Sequence, residues 1–77
     1  MSKYAPLSDY LSKHEGNHIR LRFEEIEAII SDKLPKSAST HKAWWSDDKT
    51  HVQANAWLNA QWKVDNVALG EYVEFVK

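Results

Sequence analysis

The sequence predicts an α+β domain in which three helices pack on a mainly antiparallel sheet of three to four strands. Three observations lead there. Apolar residues recur at helical spacing in "PLSDYLSKHEGN" and "FEEIEAIISDKL", they alternate with basic residues in "HIRLRF", and the tail from Trp62 is dense in valine and aromatics, as half-buried strands are. The 77 residues include no cysteine, so residues 1–77 are expected to form one unit held by packing rather than by disulfides or a thiolate metal site.

Taken in order, Pro6 suits the first turn of a helix, and Leu7, Tyr10 and Leu11 continue it until Gly16 and Asn17. "HIRLRF" sets Ile19, Leu21 and Phe23 against His18, Arg20 and Arg22, a strand with one buried and one basic face. The second helix carries Phe23, Ile26, Ile29, Ile30 and Leu34 on one side, with Glu24, Glu25 and Glu27 near its positive end, and Pro35 bars its continuation beyond Leu34. "PKSASTHK" is polar and turn-forming, and "AWWS" is expected as a short strand. Asp47 or Asp48 would cap a third helix, "KTHVQANAWLNAQ", whose alanines allow close packing. The tail predicts two antiparallel strands turning near residues 69–71, with a bulge near Asn66 because Val64, Val67 and Leu69 break strict alternation.

Four tryptophans fall between residues 44 and 62. Packing accounts for most of them, since each large aromatic removes roughly 150–250 Å² from water and a short chain has few residues to spend on a core. A net charge of −1 argues against a protein-wide positive field, so any nucleic-acid surface must be local. The amino terminus has no apolar run of the signal-peptide kind, and no stretch of eighteen apolar residues occurs; a cytoplasmic protein with no membrane association is the expectation.

Catalytic chemistry is poorly represented. Asp47 and Asp48 are adjacent at an expected helix start, where capping explains at least one of them, and a hydrolytic metal site needs further converging ligands. His41 and His51 are too far apart to share a helix face, and Ser37 and Ser39 have no evident base. A non-enzymatic protein without cofactor or metal is therefore expected.

Binding chemistry is richer. Arg22 stands where serine, threonine or aspartate would ordinarily cap the second helix, a departure costing about 1 kcal/mol. With Arg20 and His18 it forms a basic stripe suited to phosphates, or it simply pairs with Glu24 or Glu25. Residues 33–42 hold Lys33, Lys36, His41 and Lys42 with no acidic residue, interleaved with Ser37, Ser39 and Thr40, the ammoniums and hydroxyls that phosphate oxygens accept from; a solvated loop would look the same. Trp44 and Trp45 follow at once. On a strand they would face opposite ways, leaving one, taken as Trp45, exposed as a stacking platform for a base or as an anchor for a protein partner. His51 and Asn55 would share a helix face, with Gln53 nearer Trp57; these side chains either read base edges or satisfy buried backbone. Thr50 and free N–H groups at that helix start would hold an anion only if Asp47 and Asp48 were occupied in capping.

The blocks "YAPLSDYL", "FEEIEAII", "LPKSAS", "AWW", "HVQANAWLNAQW" and "VEFVK", in that order over almost the whole chain, resemble a family of small bacterial and phage domains of uncharacterised function. Its motif residues fall on Ser37, Trp44, Trp45, His51, Gln53, Trp57 and Trp62. Members of that family stand alone or beside nuclease-like domains, which implies DNA recognition, including recognition of modified DNA, by association. Two departures stand out: a hydroxyl residue is usual where this chain has Arg22, and a glycine where it has Gln61. The expected function is thus DNA binding through Arg20, Arg22, Lys36, Ser37, Ser39, Thr40, Lys42, Trp45, His51 and Gln53. The alternative is a protein-interaction module, such as an antitoxin-like protein or phage-encoded inhibitor, built on the same exposed tryptophan.

Overall fold

The computed structural model describes residues 3–77. Helix α1 (Ala5–Lys13) carries proline in its first turn, where a missing N–H is harmless, and the one-sided spacing of Tyr4, Leu7 and Leu11 buries all three. Strand β1 (His18–Arg22) alternates as expected: Leu21 is buried and Ile19 packs on the core, while His18, Arg20 and Arg22 are exposed. Helix α2 (Phe23–Ile30) follows directly and buries Phe23, Ile26 and Ile30.

Helix α2 stops earlier than the proline rule suggests. Ser31 adopts a left-handed conformation (φ 56°), and the N–H groups of Ser31 and Asp32 both donate to the Glu27 carbonyl. The Glu27 carboxylate then accepts the Leu34 N–H at 2.8 Å, so one residue terminates the helix with its backbone and organises the following loop with its side chain. Pro35 acts as an N-cap instead of a stop, opening α3 (Lys36–Thr40), a short helix in the stretch expected as a turn. Burial of Ala38 and the bond from the His41 N–H to the Ser37 carbonyl hold it.

The expected "AWWS" strand is a 3-10 turn, Lys42–Trp45. Successive side chains in such a turn are rotated by about 120°, not by the half-turn of a strand. Trp45 therefore enters the core while its neighbour Trp44 lies half-buried at the rim, and the expectation that Trp45 stands exposed is corrected. The next helix is also shorter than expected. The Asp48 carboxylate accepts both the N–H and the hydroxyl of Thr50, and this local turn delays α4 to Ala54–Leu58. Asp47 does not cap a helix: its Oδ1 accepts from the Trp57 indole at 2.9 Å and from the Val64 N–H at 3.1 Å, joining α4 to the sheet.

Strands β2 (Lys63–Ala68) and β3 (Tyr72–Val76) form the expected hairpin, with Gly70 at positive φ (77°) in its turn and a register shift between Val64 and Asn66. β3 lies between β1 and β2, antiparallel to both. One face of this sheet presents Leu21, Val67, Val73 and Phe75 to the core. Across that core, Trp45 stacks on Trp57 (ring centroids 5.7 Å apart, 24° between planes), Phe23 lies 5.3 Å from Trp45, and Phe75 lies 5.6 Å from Trp57.

The tryptophans also supply directional ties. The indole N–H of Trp45 donates to the Ala38 carbonyl (2.8 Å), that of Trp57 to Asp47, and that of Trp62 to the Leu11 carbonyl at the end of α1 (3.0 Å). Burying three large rings is thereby achieved without leaving their polar edges unpaired, which would cost about 1–3 kcal/mol each.

Candidate nucleic-acid interface

The residues expected to bind fall into two groups, and no hydrogen bond, ion pair or ring contact links them among the described residues. The first occupies the solvent face of the sheet. Register places Arg20 beside Glu74 and Arg22 beside Tyr72 on β3, with Asn66 and Ala68 beyond them on β2. Arg20 lays its guanidinium over the Tyr72 ring, 4.5 Å from the centroid, and approaches Glu74 at 3.6 Å. The same carboxylate meets the His18 Nε2 at 3.4 Å and the Asn66 amide at 3.4 Å. Arg22 pairs with Glu24 at 2.9 Å.

Arg22 also resolves the missing cap. A guanidinium has no acceptor to offer the helix N–H groups, but Glu25 reaches back and accepts the Arg22 backbone N–H at 2.9 Å, half of a capping box. The stripe is therefore basic in sequence but largely compensated in space. Arg22–Glu24 is an exposed pair, worth about 0–1 kcal/mol, whereas Glu74 is largely covered beneath Arg20 and His18; together they lower the free charge of the face.

The second group surrounds α3 and the 3-10 turn. Lys33, Lys36, Lys42 and His41 are exposed, and among the described residues none of them has a carboxylate within ion-pair distance. Ser39 and Thr40 are exposed and Ser37 is half-buried; the Thr40 hydroxyl donates to the Lys36 carbonyl at 3.2 Å. Trp44 borders this segment. Its ring meets Tyr4 edge-on at 5.9 Å and Trp45 at 4.6 Å, and its indole N–H has no partner among the described residues. Trp44, not Trp45, is thus the tryptophan with an accessible edge. The four residues of "KAWW" are too few to show a period, so no sequence signal separates the two rings.

Gln53 is half-buried and donates its amide to the Trp44 carbonyl at 3.0 Å, which is the backbone-satisfying role. His51 precedes α4 instead of sharing a helical face with Asn55; its Nδ1 is buried without a partner among the described residues. The notion of an anion at this helix start fails because both Thr50 donors are taken by Asp48. These donors hold the Asp48 carboxyl below the usual carboxylate range, the backbone N–H more strongly than the hydroxyl. Asp32 is lowered likewise, first by the Lys33 N–H and then by Lys3. Tyr72, unremarked in the sequence, joins the first group through its register with Arg22.

Among the described residues there is no group of three or more histidine, aspartate or glutamate side chains placed to hold a metal ion, and no helix is long and apolar enough to cross a membrane. A family model, the domain of unknown function DUF7662, matches residues 4–77. No curated protein and no solved structure matches the chain.

Proposed function

The chain belongs to the domain family of unknown function DUF7662, and from that premise, which carries no activity, we propose that it is a non-enzymatic nucleic-acid-binding domain with DNA as its ligand. The observation that supports this reading is the run of exposed, unpaired cations at Lys33, Lys36 and Lys42 ending beside the accessible edge of Trp44. Ammonium groups without internal carboxylates are free to replace the counterions of phosphates, and a half-exposed indole offers a face or edge to a neighbouring base. Ser39 and Thr40 add short donors along the same segment. Arg20 and Arg22, compensated by Glu74 and Glu24, contribute less than their position in the sequence suggests.

The test is fluorescence anisotropy with labelled single-stranded and duplex DNA at low and moderate salt. Binding should weaken steeply with salt, and the Lys36→Glu/Lys42→Glu double variant should lower the log–log salt slope by roughly 1.4–1.8, the share of two phosphate contacts. Unchanged affinity in that variant would remove the lysine segment from the interface. A protein partner is the second reading, favoured by Val52, which is 59% exposed beside a mostly apolar cleft between α1 and α4. Such binding would change little with salt.

A further inference from the structure

The cleft between α1 and α4 encloses about 170 Å³, below the roughly 300–1,000 Å³ of sites for drug-sized ligands. A single flat ring system is the scale of occupant it admits. Tyr4 and Ala56 give it apolar walls, Val52 stands at its rim, and three small polar side chains line it: Ser8 from α1, Asn55 from α4, and Asn59 just beyond α4. Asn55 and Asn59 are four residues apart, which places them one above the other on the same side. Neither amide, nor the Ser8 hydroxyl, has a side-chain hydrogen bond to another described residue. The contrast with Gln53 is direct, since that amide is consumed by the Trp44 carbonyl.

The cleft is joined to the lysine segment through one ring contact. Tyr4 forms one of its walls and packs edge-on against Trp44, which follows Lys42 by two positions. A strand held by Lys36 and Lys42 and resting on Trp44 would lie one ring contact from the cleft wall. An asparagine amide presents a donor and an acceptor side by side, the complement of adenine N7 and N6. Extracting a base from a single strand requires unstacking but no unpairing.

We propose that this cleft receives one unpaired adenine of the bound strand, with the Asn55 and Asn59 amides reading its edge and Tyr4 and Ala56 enclosing its ring. The inference rests on the nucleic-acid reading above and adds to it a base preference and its location.

Labelled single-stranded octamers of dA, dT and dC, compared by anisotropy at low salt, test it. The dA octamer should bind about tenfold more tightly than the pyrimidine octamers, within the discrimination of one bidentate amide–base pair. The Asn55→Ala/Asn59→Ala variant, which places a good helix former in α4 and another at its C-cap, should bring dA to the level of the others while leaving the salt slope unchanged. Equal, salt-sensitive affinity of the wild-type protein for all three octamers would overturn the cleft assignment and leave the lysine segment standing, as would a dA preference that survives in the double variant. Failure of every octamer to bind would overturn both. A leucine-rich peptide that shifts the Asn55 and Asn59 amide resonances while no octamer does so would give the cleft to a protein partner.

Discussion

Trp44 and Trp45 are neighbours in one turn, yet replacing each by phenylalanine should have unequal effects. Trp45 is 2% exposed, and its indole supplies the hydrogen bond to the buried side of the Ala38 carbonyl. Phenylalanine keeps an aromatic ring against Phe23 and Trp57 but removes that donor, leaving a buried acceptor unsatisfied at about 1–3 kcal/mol. The smaller ring leaves a void worth about 1 kcal/mol more, so Trp45→Phe should cost about 2–4 kcal/mol. A domain of this length has about 4–12 kcal/mol in all. Trp44→Phe removes no internal hydrogen bond and only part of a half-buried ring, and should cost about 1 kcal/mol or less. Urea midpoints of the two variants give the difference directly, and thermal melts should separate them by on the order of 10 °C. Acrylamide quenching adds a check, because the accessible component of the emission should vanish in Trp44→Phe and persist in Trp45→Phe. Equal losses of stability, or a larger loss at Trp44, would refute the assignment of Trp45 to the core and of Trp44 to the rim.

Three further outcomes follow from particular contacts. Asp47→Ala strands the N–H of Trp57, a fully buried residue, and frees the start of β2, so a loss of about 2–3 kcal/mol is expected in urea unfolding, with Asp47→Asn recovering most of it because an amide oxygen still accepts. Gln61 occupies the left-handed region at φ 67°, where glycine is unstrained; Gln61→Gly should stabilise by about 0.5–1 kcal/mol, read as a rise in Tm of a few degrees, and a fall would show that its side chain matters more than its backbone. The carboxyls of Asp32 and Asp48 are lowered in the folded state, so each adds stability that is present above the ordinary carboxylate range and is lost as pH falls through the folded value. Urea midpoints should therefore decline below about pH 4, and Asp48→Asn should make that decline shallower.

Period and composition make some elements legible and hide others. β1 is readable because Ile19 and Leu21 alternate with basic residues, and the hairpin because Val64, Val67, Val73 and Phe75 can line one face only if a residue is extruded near Asn66. α3 is hidden because a helix of five residues contributes one buried side chain, Ala38, which is too little to show a period. The end of α2 depends on a side-chain bond from Glu27 to the loop, which no local rule contains. Asp47 and Asp48 carry the residue type of an N-cap, but one is used by Trp57 and Val64, distant in sequence, and the other closes a turn on Thr50. At the candidate interface the lysines are legible as charge, since nothing acidic follows Asp32 before Asp47. The compensation of Arg20 is not, because Glu74 becomes its neighbour only through the pairing of β1 with β3. Which of Trp44 and Trp45 is buried depends on whether the two residues lie in a strand or a turn.

The placement of β3 between β1 and β2 has a consequence for the order in which the domain can assemble. The central strand is the last element in chain order, and the carbonyl at the end of α1 is tied to Trp62, 51 residues further on. During synthesis, then, β1 and β2 exist without the strand that joins them, and the first helix lacks its distal tie until most of the domain has emerged. Stability should therefore arrive late and all at once, in a single cooperative step with no stable amino-terminal fragment, and folding should be governed by closure of long loops rather than by the helices.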